Sequence, residues 1–192
     1  MNVNYICHSG GAEGADTVFE LTCEEYEIKT ITYSFPTHKS TSKNLKILTR
    51  QELVEGFQHI QIAAKSLNRN TLSSSPYVCA LLARNWFQVK NSEAVFAIGE
   101  FEPKKMGIFS RVKGGTGWAV QMAIDNNKEV YIFEQNENKW FYFYKALDGL
   151  NKFIPCTNIP KLTLNFAGIG TRKINDNGIQ AIIDLCKFNF ET

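Results

Sequence analysis

Three times in this chain an apolar segment runs into a glycine-containing turn or loop and then into residues of helical periodicity. The stretches are "SGGAEGAD" (9–16), "KGGTGWAV" (113–120) and "GIGTR" (168–172). Strands that alternate with helices in this way lie side by side as a mostly parallel sheet with helices on both faces. The expected fold class is therefore α/β, with an open sheet. Ligands of such sheets bind outside the carboxyl ends of the strands, near the point where strand order switches. Three glycine turns can converge there, and that convergence says more than any one of them.

The rest of the chain fits the same scheme. Residues 4–8 read as a buried strand and 14–26 as a helix whose apolar face includes Val18, Phe19, Leu21 and Cys23. "IKTITYSF" (28–35) is a β-branched and aromatic second strand. "PTHKSTSKNLKILTR" (36–50) is polar, basic and expected to be loop. A helix is expected over 51–66, with Leu53, Phe57, Ile60, Ile62 and Ala63 roughly on one side, and "NRNTLSSS" interrupts it. Pro76 suits a first helical turn, opening a helix over about 77–89 that contains "YVCALLARNWFQV". "EAVFAIG" (93–99) is nearly continuous in apolar residues, as a parallel strand covered on both faces should be. After a long loop comes a helix over roughly 116–126, a strand over 129–133, and "KWFYFY" (139–144) as a hairpin partner or sheet extension. A strand, the "GIGTR" turn and a helix from about Asn175 close the series. No linker or repeat interrupts residues 1–192, which read as a single domain.

Composition narrows the function classes. The chain has 21 Lys+Arg against 19 Asp+Glu, so an anion site must be local and a nucleic-acid partner has no bulk electrostatic support. The run "KSTSKNLK" and the pair Lys104–Lys105 are the nearest thing to phosphate contacts, and a charge run of this kind ordinarily marks a solvated loop. No apolar stretch approaches the ~20 residues that span a bilayer, and the start "MNVNYICHSG" lacks signal-peptide features. Five cysteines without CxxC spacing read as buried thiols of a reducing compartment. His8, His38 and His59 are scattered, so no metal site is expected and no cofactor is implied. The expectation is a cytoplasmic protein without membrane association.

Each glycine turn has a chemical use. A helix amino end carries unpaired N–H groups and partial positive charge, and so receives phosphate. At the first turn Ser9 can add a hydroxyl, Gly10 and Gly11 admit an anion to the main chain, and Gly14 lets the helix approach the sheet. Asp16 either caps its own backbone or accepts a bond from a sugar hydroxyl. At the second, Gly114, Gly115 and Gly117 accompany the Thr116 hydroxyl, with Arg111 and Lys113 as nearby cations. Trp118 either stacks on a nucleobase or packs in the core. At the third, Arg172 follows Gly168, Gly170 and Thr171; its planar fork suits a phosphate, and pairing with Asp176 is the alternative. None of the turns is G-x-G-x-x-G or a Walker P-loop. Together they favour a nucleotide-like ligand.

The stretches "SGGAEGAD", "EAVFAIG…KGGTGWAVQMAI" and "FAGIGTR" resemble the SLOG superfamily of Rossmann-like proteins. That group includes DprA, the YpsA-like proteins and the cytokinin-activating LOG-type phosphoribohydrolases; the likeness is closest to the YpsA-like branch. The matching stretches are short, and the pairing of SGGAxGAD with GGTGWAVQ is the specific part. The resemblance implies a site for a nucleotide or nucleotide-derived signal built from the glycine loops. In the phosphoribohydrolases the second loop reads PGGxGTxxE, with a catalytic glutamate. Here Lys113, Trp118 and Gln121 stand at the proline, threonine and glutamate. A glutamine cannot act as general base at neutral pH, and Glu13, Asp16 and Glu100 are the acids left to replace it. The glycine-turn strand that usually opens such folds stands here at the far end, which a permuted sheet order would explain.

The expected function is capture of a nucleotide-derived small molecule without processing it. The resemblance implies a stand-alone sensor or a phage-type immune-evasion sponge, with a cyclic ADP-ribose-type molecule as one candidate. The alternative is an N-glycosidase of the LOG type. The aromatics of "WFYFY" (140–144) either bury a partner surface or form sheet interior, and a homo-oligomer is expected.

Overall fold

The computed structural model describes residues 4–70, 75–103, 107, 109–147 and 149–191. Lys104 and Lys105, and part of "NRNTLSSS", lie outside the described residues. The chain is an α/β protein whose eight strands form one sheet in the order β3-β2-β1-β8-β4-β5-β6-β7. The first half runs β1 (Ile6–Ser9), α1 (Ala15–Glu25), β2 (Lys29–Ser34), β3 (Leu45–Ile47), α2 (Arg50–Leu67) and α3 (Pro76–Lys90). The second runs β4 (Ala94–Gly99), α4 (Gly114–Asp125), β5 (Glu129–Glu134), β6 (Lys139–Tyr144), β7 (Lys152–Pro155), β8 (Asn165–Gly170) and α5 (Asp176–Phe190). Strands β3 through β5 pair in parallel, and β6 and β7 extend the sheet antiparallel. The last strand in sequence, β8, lies between β1 and β4 at the centre.

Alternation along the central strands divides the core into two layers. Ala94, Phe96 and Ile98 of β4 face α1 and α5, together with Phe19, Cys23, Ile182 and Leu185. Val95 and Ala97 face α2, α3 and α4, where Ile60, Phe87, Val120 and Met122 fill the space. All six residues of β4 are buried, which is why this stretch reads as an unbroken apolar run.

Several expectations change. β3 lies inside the segment expected to be loop, and β7 carries no clear strand pattern. Helix α4 starts at Gly114, two residues before the expected 116, so its N-cap is Lys113. Leu21, Phe57 and Ile62, read as core-facing, are exposed at 57%, 38% and 49%. In β6, Trp140 and Phe141 are sheet interior, while Tyr144 at the strand's end is exposed. Cys7, Cys23 and Cys186 are buried free thiols, but Cys79 and Cys156 are only half-buried. Among the described residues no helix is long and apolar enough to cross a membrane, and no cluster of ligand-type side chains could hold a metal ion.

Candidate functional site

Main-chain bonds stitch the carboxyl ends of the central strands together. Thr171 N donates to Ile98 O (2.9 Å), tying the end of β8 to β4. Ala15 N donates to Thr171 O (3.0 Å), tying the start of α1 to the turn after β8. Gln135 N donates to Gly99 O (3.2 Å), and the Gln135 side chain accepts from Asn175 N (2.9 Å) at the start of α5. Beside this seam lies a cavity of about 620 Å³, within the range of about 300–1,000 Å³ usual for small-molecule sites. Residues of all three glycine turns line it: Asp16 from the first, Gly114 to Thr116 from the second, Gly170 to Arg172 from the third.

The turns contribute differently. At the first, Ser9 is fully buried and its hydroxyl accepts from Gly11 N (3.3 Å). Gly11 (φ +61°) packs against Ser40, Ser42 and Thr32. A Cβ at Gly10 would collide with the Arg84 guanidinium, so that arginine already lies over the main chain there. Gly14 has φ +99°, and a Cβ would stand 2.5 Å from Thr171 O. Asp16 does not cap α1. Its carboxylate accepts from Gly170 N (3.0 Å) and Ala12 N (3.4 Å) and faces Arg84 Nη1 at 3.9 Å. Burial, opposed by Arg84 and these two amides, raises the Asp16 carboxyl from 3.8 to about 6.

At the second turn the amino end of α4 has no side-chain cap, and nothing stands near where a Cβ on Gly114 (φ +63°) or Gly115 would be. Thr116 is buried at the cavity wall. Gly117 is pressed against Val112 O, where no side chain fits. Trp118 is 8% exposed and belongs to the core under α2–α4, with the Arg69 guanidinium 5.7 Å from its ring. Arg69 also donates to Gly114 O (3.2 Å) and Val112 O (3.3 Å), bracing the outer side of this turn. Lys113 pairs with Glu100 at 2.8 Å, which lowers the Glu100 carboxyl and raises the Lys113 ammonium. Gln121 donates to Asp125 (2.9 Å) one helical turn on and is not part of the cavity wall.

At the third turn Thr171 Oγ1 accepts from Lys173 N (3.1 Å), and Arg172 is exposed at the cavity rim with no ion pair to Asp176. Glu13 is exposed and off the cavity, whereas Glu100 lines it.

Another wall of the cavity is α3, for which the sequence predicts a helix and no part in a site. Leu81, Arg84, Asn85 and Gln88 share one face at helical spacing and line the cavity. Arg84 is 5% exposed, and its Nη1 has no hydrogen-bond partner within the chain. The readable signal was Arg-Asn and then Gln inside an otherwise apolar "ALLARNWFQV", because polar groups on a buried helix need a reason. The cavity collects four cationic side chains, Arg84, Lys113, Arg172 and Lys173, against two acids, Asp16 and Glu100. Nearby, burial lowers the His38 imidazole to about 4, and the charges of Arg84 and Arg172 push the same way. A second cleft of about 470 Å³ lies between α1 and the β2–β3 edge. Two of its three acids are engaged within the chain: Glu20 accepts from Thr32 and Ser42, and Glu24 pairs with Lys43.

Comparison with protein-family models, with curated proteins and with solved structures finds no match to this chain.

Proposed function

We propose that this protein binds an anionic, nucleotide-derived small molecule in the cavity at the carboxyl ends of β1, β8 and β4, and holds it without processing it. The observation that carries the reading is the amino end of α4: uncapped, open at Gly114 and Gly115, and directed at a cavity with an excess of cations. A phosphate there meets free N–H groups and the positive end of the helix dipole, and Lys113 and Arg172 at the rim supply charge. The likeness of the glycine stretches to the SLOG superfamily supports the same ligand class and adds the biological role, a stand-alone sensor or a phage-type sponge in the cytoplasm. A cyclic ADP-ribose-type molecule is the first candidate. The homo-oligomer belongs to this reading as well, and sedimentation of the purified chain tests it. Calorimetric titration with cyclic ADP-ribose isomers, ADP-ribose and cyclic dinucleotides tests the ligand, together with mass spectrometry of whatever denaturation releases. Silence in every titration and an empty spectrum overturn the proposal.

One observation favours a second reading, hydrolysis of an N-glycosidic bond. The Asp16 carboxyl, raised to about 6, stands at the cavity wall where a general acid or base would be useful. Against it, both Asp16 oxygens are engaged by main-chain amides, and Gln121 supplies neither a carboxylate nor a contact with the cavity. Free base or ribose phosphate released from nucleoside monophosphates, lost on Asp16→Asn, decides for the enzyme.

A further inference from the structure

Gln88 is the least expected side chain of the α3 wall. It has no exposed surface, it borders the cavity, and neither its Oε1 nor its Nε2 has a hydrogen-bond partner within the chain. On the same side of the sheet, His8 Nε2 is also buried without a partner, its Nδ1 being engaged with the Tyr33 hydroxyl at 3.1 Å. The cavity lining also holds the apolar side chains of Leu81, Leu82, Ala119 and Ile169, alongside the polar Arg84, Asn85 and Thr116. A buried carboxamide with an unmet donor beside an unmet acceptor is the complement of a planar heterocycle that presents an acceptor beside a donor.

Resting on the binding reading above, we infer that Gln88 recognises the nucleobase of the ligand: its carboxamide pairs with the base edge while the apolar wall takes the ring faces. The phosphate end of the guest then lies toward α4 and the base toward α3. A group that bulk water does not reach discriminates strongly, because a guest without the matching edge leaves it unpaired.

The test compares ribose 5-phosphate, which has no base, with AMP, GMP, CMP and UMP, by calorimetry on the full chain. At least one nucleotide is expected to bind roughly tenfold or more tightly than ribose 5-phosphate. In Gln88→Met that ratio collapses toward one, while the melting temperature without ligand holds or rises, since an unpartnered buried amide has been removed. Gln88→Leu repeats the measurement should the Met variant fail to fold. The inference is overturned if no nucleotide exceeds ribose 5-phosphate, or if the ratio survives in both variants. It is equally overturned if both variants lose melting temperature while the ratio is kept, because Gln88 then serves only the fold. Ribose 5-phosphate binding alone leaves the binding reading standing without the base contact. Binding of none of the five overturns the base contact, while the binding reading is decided separately by the titrations with cyclic ADP-ribose isomers, ADP-ribose and cyclic dinucleotides.

Discussion

The starts of α1 and α4 look alike in sequence, each led by glycines, and each lacks a side-chain cap. Their surroundings are opposite. At α1 the glycines are there for close packing. Gly14 abuts the Thr171–Arg172 main chain, Gly10 lies under Arg84, and the Ala15 amide is used by Thr171 O. At α4, Gly114 and Gly115 border open space, and only Gly117 is needed for contact. One glycine cluster therefore builds the seam that holds three strand ends together, and the other leaves a helix end accessible. The sequence predicts that several helix starts share an anion; the proposed reading uses only α4, because the Arg84 guanidinium lies over the main chain of the first turn.

The sharpest way to break this contrast is to remove the carboxylate that closes the α1 seam. Asp16→Ala leaves two amides without their acceptor and the buried Arg84 without its counter-charge. The expected cost is about 3–5 kcal/mol, the range for breaking one side of a buried ion pair, read as a lower midpoint in denaturant unfolding. Should Asp16→Ala unfold like the parent chain, the seam is not what holds these turns. Next in size is Gly14→Ala. A side chain at φ +99° is strained, and its Cβ would stand 2.5 Å from Thr171 O and 2.6 Å from Arg172 Cα, both main-chain atoms. The expected loss is about 2–4 kcal/mol, again by denaturant unfolding.

Much of the fold was legible because its signals are local. The apolar run of β4, the turn glycines and Pro76 at the first turn of α3 each mark an element whose burial follows from its own residues. β3 was hidden for the opposite reason. Leu45, Lys46 and Ile47 are all exposed, and the strand exists through its pairing with β2 at the sheet edge, so no apolar pattern marks it. The site was legible as a place and only partly as a set of contacts. That three turns meet follows from parallel topology. Which glycines face a ligand depends on neighbours distant in sequence, such as Arg84 over Gly10 and Val112 O against Gly117. Trp118 shows the same limit: its position beside the turn suits stacking, yet helix phase turns it into the core beneath Arg69.

At α4 the contrast predicts the reverse of Gly14→Ala. Gly115 has no positive φ, and a Cβ there meets nothing within 4 Å. Gly115→Ala is therefore expected to leave stability unchanged or raise it by about 0.4–1 kcal/mol. The added methyl narrows the approach to the free amides, so affinity for a phosphate-bearing guest is expected to fall about tenfold. Thermal melting and calorimetry on the same sample read both. A variant that melts early, or binds as the parent does, would put the open helix end elsewhere.

The smallest expected effect is a pH dependence that links the two regions. The folded Asp16 carboxyl titrates at about 6 against 3.8 for an ordinary one, so the folded chain holds more protons than the unfolded chain between these values. For this group, stability is greatest below 3.8 and is lost as pH rises through 6. The same charge faces the cavity, so protonation removes a repulsion from any anionic guest. Affinity for a phosphodiester, whose own charge is constant in this range, is expected to rise several-fold, on the order of 1 kcal/mol, from pH 8 to pH 5. His38, lowered to about 4 by burial with help from Arg84 and Arg172, stays neutral over most of this interval and adds little. Calorimetry across the range checks the slope, and Asp16→Asn should flatten it. A slope that persists in Asp16→Asn assigns the titration to another group and separates the seam at α1 from the ligand's electrostatics.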